Sequence, residues 1–94
     1  ISGFGQTGPE RLGAGYDGKI QALSGIMSIT GHAETRPTRA GFAVCDVLSG
    51  ATAAFGVSSA LFQRTHTGKG QLVDVSMLEA TLAFLSGQVA DYSV

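Results

Sequence analysis

Between Arg39 and Arg64 the chain carries a single charge, Asp46. That stretch constrains the fold more than any other feature. Val47, Ala51, Ala54, Phe55, Leu61 and Phe62 recur at helical spacing, and the remaining faces are mostly small and uncharged. A helix with so little charge around its circumference is covered by other protein. The pattern predicts a long buried helix from about Asp46 to Thr65, with Gly50, Ala53, Ala54 and Gly56 allowing close backbone approach. A membrane span wants about 20 predominantly apolar residues. The apolar run Val47–Gln63 is interrupted by Ser49, Gly50, Thr52, Gly56, Ser58 and Ser59, so we read it as a helix of a soluble protein. Arg64 and His66 suit the negative end of its dipole.

The rest of the chain reads as α/β. Ile1–Phe4 is expected to end a strand, and Gly5–Gly15 to form a glycine-punctuated loop. Asp17 is placed to cap a helix carrying Ile20, Leu23, Ile26, Met27 and Ile29, stopped by Gly31. His32–Gly41 reads as a polar loop. Thr67-Gly68-Lys69-Gly70 turns out of the long helix into an alternating strand, Gln71–Ser76. A last helix is expected from Met77 to about Ala90, with Leu78, Leu82 and Leu85 on one side. Ninety-four residues make one domain at most. The chain opens without Met and stops mid-pattern at Tyr92-Ser93-Val94, and only 14% of it is charged. We therefore expect residues 1–94 to be a single partial domain, the central segment of a longer protein.

Composition excludes several functions. A hydrophobic share of 44% argues against disorder. A net charge of −1 leaves no basic surplus for a nucleic-acid backbone. One cysteine excludes an internal disulfide. Gly3-Phe4-Gly5-Gln6-Thr7-Gly8 matches a dinucleotide-binding pattern literally, but no helix opens there and no acid follows about 20 residues on. A tight loop in which backbone meets backbone explains it better. His32 and His66 lack metal-ligand spacing, so no metal is expected. Lone Cys45 reads as a packing residue. Asp46, at the head of the apolar helix, has two readings. One is an N-cap. In the other, the helix dipole keeps its carboxylate ionised and nucleophilic toward an activated carbonyl, with nearby amides available to an oxyanion.

Several blocks then stand in a specific order. Ser2–Pro9 is followed by Gly15-Tyr16-Asp17, then Ser24-Gly25-Ile26-Met27 with Thr30-Gly31. Pro37, Arg39 and Gly41 precede Asp46 with Gly50; Thr67–Gln71 and Val73–Ala80 close the series. This order resembles the class III coenzyme A transferases, the family of formyl-CoA transferase, carnitine CoA-transferase and α-methylacyl-CoA racemase. The resemblance implies a Rossmann-like α/β domain plus a smaller one, in a chain several times longer that forms an interlocked homodimer. It implies an acyl-CoA:carboxylate CoA-transferase with Asp46 as the catalytic aspartate. The aspartate attacks the thioester to give a mixed anhydride and CoA thiolate; thiolate and acceptor carboxylate then exchange through aspartyl intermediates. Tyr16 and Asp17 match positions lining the active site, and Met77 a position near CoA. No tightly bound cofactor is implied, since the CoA thioester is substrate; the partners are an acyl-CoA and a carboxylic acid, with neither nucleic acid nor membrane. Racemases of the family carry histidine where this chain has Tyr16. A phenol with a pKa near 10 is a poor acid/base for α-proton exchange. The alternatives are therefore a 2-methylacyl-CoA racemase with another group in that role, and a non-catalytic interaction module. An isolated segment is expected to be inactive. The expected location is the cytoplasm, or the mitochondrion or peroxisome in a eukaryote.

Overall fold

The computed structural model describes all 94 residues. Four helices form: α1 (Asp17–Leu23), α2 (Val44–Thr67), α3 (Met77–Phe84) and α4 (Ser86–Ser93), with one 3-10 turn at Ile26–Ile29 between the first two. Helix α2 is the element foreseen from the stretch whose single charge is Asp46, extended by two residues at each end. Its C-terminus is closed by Gly68 at φ +69°, whose N–H donates to the Arg64 carbonyl.

Three sequence expectations change. The helix expected to run to Gly31 stops at Leu23, because Ser24 closes it and Gly25 turns left-handed at φ +84°. The last helix breaks at Leu85, whose φ −95° and ψ 15° leave the helical region ahead of Ser86-Gly87. Neither Ile1–Phe4 nor Gln71–Ser76 becomes a strand. They run parallel and meet in one bridge, Ser2 with Ser76: Ser2 N–H donates to the Val75 carbonyl and Met77 N–H to the Ser2 carbonyl. A parallel ladder needs neighbouring strands to complete it, and this one bridge is the only strand pairing in the 94 residues. Within this chain the architecture is thus helical, not α/β.

The core is small and lies where three helices begin. Ile20 of α1, Cys45 of α2 and Met77 of α3 meet there, with Phe4, Val44 and Leu78 partly buried against them. Behind it two glycines cross backbone to backbone: a Cβ on Gly15 would lie 2.3 Å from the Gly3 Cα. This crossing fixes the glycine loop against the start of α1 and requires glycine at positions 3 and 15.

Helix α2 is not buried within this chain. Only Cys45 and Ser49 are, while Phe55 and Phe62 are 76% and 70% exposed. The expectation of a covered helix fails here because no other part of the 94 residues reaches its outer faces. The radius of gyration is 15.5 Å, against about 12 Å for a compact chain of this length. By length and composition α2 could also cross a membrane. Its first turn is anchored in the core, where Cys45 is seated between α1 and α3.

Candidate active site

Asp46 is the third residue of α2. The N-cap position belongs to Ala43, which has no side chain to cap with. The N-cap reading of Asp46 is therefore replaced: its carboxylate is exposed, in the first turn, and engaged by no other group of the chain. The first-turn amides are largely used. Val44 N–H donates to the Phe42 carbonyl at 2.8 Å, Val47 N–H to the Ala43 carbonyl at 3.1 Å, and Cys45 N–H to Asp17 Oδ1 at 2.9 Å. The amide of Asp46 itself is the one left to a ligand. The acid stands at the positive end of a 24-residue helix.

Asp17 does not cap its own helix. It is the first residue of α1, with Tyr16 at the N-cap, and it caps α2 from across the core through Oδ1. Its Oδ2 accepts from Gln21 Nε2 at 2.7 Å and from Arg39 Nη2 at 3.4 Å. The carboxylate is buried, whereas the Tyr16 ring preceding it is 65% exposed. The Arg39 end of the ion pair is solvated, so the pair adds little by itself. Gln21 was not singled out from the sequence. Its signal was available: an amide four residues after an acid on the inward face of a helix.

Met77 is the first residue of α3. It packs in the core beside Cys45, one residue from Asp46. The four residues named from the sequence thus stand at the beginnings of three helices, and these beginnings are tied together. The Asp17–Cys45 hydrogen bond joins α1 to α2, and the Ile20–Cys45–Met77 contact joins both to α3.

Cys45 is fully buried, and burial pushes its thiol pKa up from 9.0; a hydrogen bond with Thr81 opposes this, while Asp17 and Asp46 add to it. A raised pKa means the folded state holds the proton more tightly. The stability gained is present below the ordinary thiol pKa and is lost as pH rises through the folded value. We expect Cys45 in the native full-length protein to react with iodoacetamide at pH 8 on the order of tenfold or more slowly than in urea. Equal rates, read by intact mass, would mean that the thiol is open.

A cleft of about 470 Å³ lies elsewhere, between the end of α1 and α4, lined by Leu23, Ile29, Leu85, Val89 and Tyr92 among others. None of Tyr16, Asp17, Asp46 and Met77 lines it.

Comparison with known proteins bears on this geometry. The model of CoA-transferase family III matches residues 1–94. The succinyl-CoA–D-citramalate CoA-transferase of Chloroflexus aurantiacus is 42% identical over the whole chain, which spans 23% of that protein. The α-methylacyl-CoA racemase of Homo sapiens is 42% identical over 87 residues, covering 92% of this chain and 22% of the racemase. A crystal structure of a CAIB/BAIF family protein from Brucella suis superposes with a TM-score of 0.94 at 39% identity, over 98% of this chain and 24% of that one. The chain therefore spans about a quarter of the length of the relatives it matches.

Proposed function

The chain belongs to CoA-transferase family III, and from that premise we propose that it is the part of an acyl-CoA:carboxylate CoA-transferase that carries the nucleophile, Asp46. One observation carries the assignment. In an almost uncharged 24-residue helix, the only acid stands in the first turn with its carboxylate exposed and unengaged.

In this reading an Asp46 carboxylate oxygen attacks the thioester carbonyl. The C–S bond breaks, CoA leaves as thiolate, and a mixed anhydride forms on Asp46. The thiolate then attacks the Asp46 carbonyl, releasing the donor acid and leaving an aspartyl-CoA thioester. The acceptor carboxylate reverses the sequence and departs as the new thioester. The helix start sets the positive end of the α2 dipole beside Asp46, the nucleophile of this reading. Its own free amide is the one first-turn donor this chain offers to an oxyanion. The exposed Tyr16 is assigned to the substrate side of the site, with Asp17 beneath it and Met77 toward CoA. The coenzyme enters as substrate, and no tightly held cofactor is required.

The uncovered faces of α2 and the single bridge at Ser2 and Ser76 support a further reading. In the full-length protein a Rossmann-like sheet continues from this bridge, and the rest of the chain or its interlocked partner covers α2. We assign the protein to the cytoplasm, or to mitochondria or peroxisomes in a eukaryote.

A racemase relative matches at the same identity as the transferase, so identity does not choose between them. Tyr16 supports the transferase: a phenol is a weak exchanger of α-protons at neutral pH. The full-length protein, turned over in D2O with a 2-methylacyl-CoA and a panel of carboxylic acids, is expected to move CoA without placing deuterium on the α-carbon. Deuterium at that carbon without CoA transfer would establish the racemase reading instead.

A further inference from the structure

Resting on Asp46 as the nucleophile, we infer that Asp17 and Gln21 form a clamp that sets the backbone leading into it, and that Gln21 is a positioning residue for acylation of Asp46. Gln21 has no exposed surface. Each of its polar atoms is used: Nε2 donates to Asp17 Oδ2 at 2.7 Å and to the Phe42 carbonyl at 3.3 Å, and Oε1 accepts from Ala40 N–H at 2.9 Å. Asp17 adds the bonds from Arg39 Nη2 and Cys45 N–H. Two side chains one turn apart on α1 thus hold residues 39, 40, 42 and 45, four points in the seven residues before Asp46.

The carboxylate of Asp46 is held by no side chain, so its direction follows from its backbone, and that backbone is held at Cys45 N–H. A fully buried amide loses its hydration and its rotamer freedom. A leucine or methionine would fill the same space without that cost. What the amide adds is direction: it fixes the approach of the loop and, through Asp17, the acceptor that starts α2. Misplacement of a reacting group by about 1 Å can cost about 100-fold in rate.

The test uses the full-length protein and succinyl-CoA as probe. Single-turnover acylation of Asp46 is followed by quenching and mass spectrometry, with KM and thermal melting measured alongside. Gln21→Met keeps the volume and removes the hydrogen bonds. It is expected to slow acylation about 10- to 100-fold while KM for succinyl-CoA stays within about twofold and the protein remains folded. Asp17→Asn is the second variant should Gln21→Met not fold. It keeps an oxygen for Cys45 N–H but turns an amide toward Gln21 and Arg39, and the same split is expected. Acylation at the wild-type rate in a folded variant would overturn the clamp alone. A rise in KM accounting for the whole loss would overturn it too, because the residue would then act on substrate. A wild-type protein that turns over substrate with Asp46 never acylated would remove the nucleophile, and the clamp's purpose with it.

Discussion

Asp46→Asn in the full-length protein is expected to abolish CoA transfer, lowering kcat by about 10,000-fold or more, as removal of a covalent nucleophile does. The fold should be unaffected. The carboxylate is exposed, caps nothing, and is engaged by no neighbour in the chain. Asparagine keeps the volume and loses only a favourable charge near the helix start. A melting temperature close to wild type together with absent turnover is the expected pair of results, read by calorimetry and by thiol release from acyl-CoA. A variant that turns over normally would mean that Asp46 is only a first-turn acid. Asp46→Ser sharpens the point: serine is a good cap and a poor carboxylate substitute, and should be as inactive as asparagine.

The second large effect concerns stability. A methyl group on Gly15 would sit 2.3 Å from the Gly3 Cα and 3.3 Å from the Gly3 nitrogen, and one on Gly3 would sit 2.6 Å from the Gly15 Cα. All these atoms are backbone, so no rotamer change relieves the clash. Nor is Gly3 free to retreat: its carbonyl accepts from Leu78 N–H, and Ser2 before it is bonded on both sides to the Val75–Met77 segment. Gly15→Ala should therefore destabilise the protein by about 3 kcal/mol or more, the upper end for an overpacked interior, and should displace Tyr16 and Asp17, which follow directly. Gly70→Ala is the matched control, since a Cβ there meets nothing within 4 Å. Thermal melts of the two variants should separate clearly; equal melts would mean that the crossing is looser than it stands.

Long-period patterns and the glycine turn at Gly68 were legible in the sequence, whereas the stops at Ser24-Gly25 and Leu85 were not. The stretch whose single charge is Asp46 located α2 to within two residues at each end, because a 24-residue helix averages over many positions. The stop at Ser24-Gly25 was overlooked because Ile26, Met27 and Ile29 continue the apolar spacing past it. Ser76 and Glu79 spell a capping signature, and Ser76 Oγ does accept from Glu79 N–H at 3.3 Å. The helix accordingly begins at Met77, as expected from the sequence. The two expected strands failed for a reason no local pattern carries: a strand exists through its neighbours, and only Ile1–Gly3 runs beside Ser76. The burial of α2 failed likewise, since periodicity says that a face will be covered without saying by what.

At the site, Asp46 was visible through its isolation, and family order pointed to Tyr16, Asp17 and Met77. The bond from Cys45 N–H to Asp17 spans 28 residues, so no local pattern joins them. From sequence Asp17 looked like a cap for the helix it begins, when it closes the one that begins 27 residues later. Gln21 carried a local signal, four residues after Asp17, but its partners at Ala40 and Phe42 become neighbours only once α1 folds onto the loop.

The central claim is that Asp46 becomes covalently acylated, and one measurement tests it directly. The full-length protein, turning over succinyl-CoA with a carboxylic acid acceptor, is quenched with hydroxylamine or borohydride and its peptides are mapped by mass spectrometry. The account predicts a hydroxamate or a reduced side chain at Asp46 and at no other acid. An unmodified Asp46 in protein shown to be transferring CoA would contradict it.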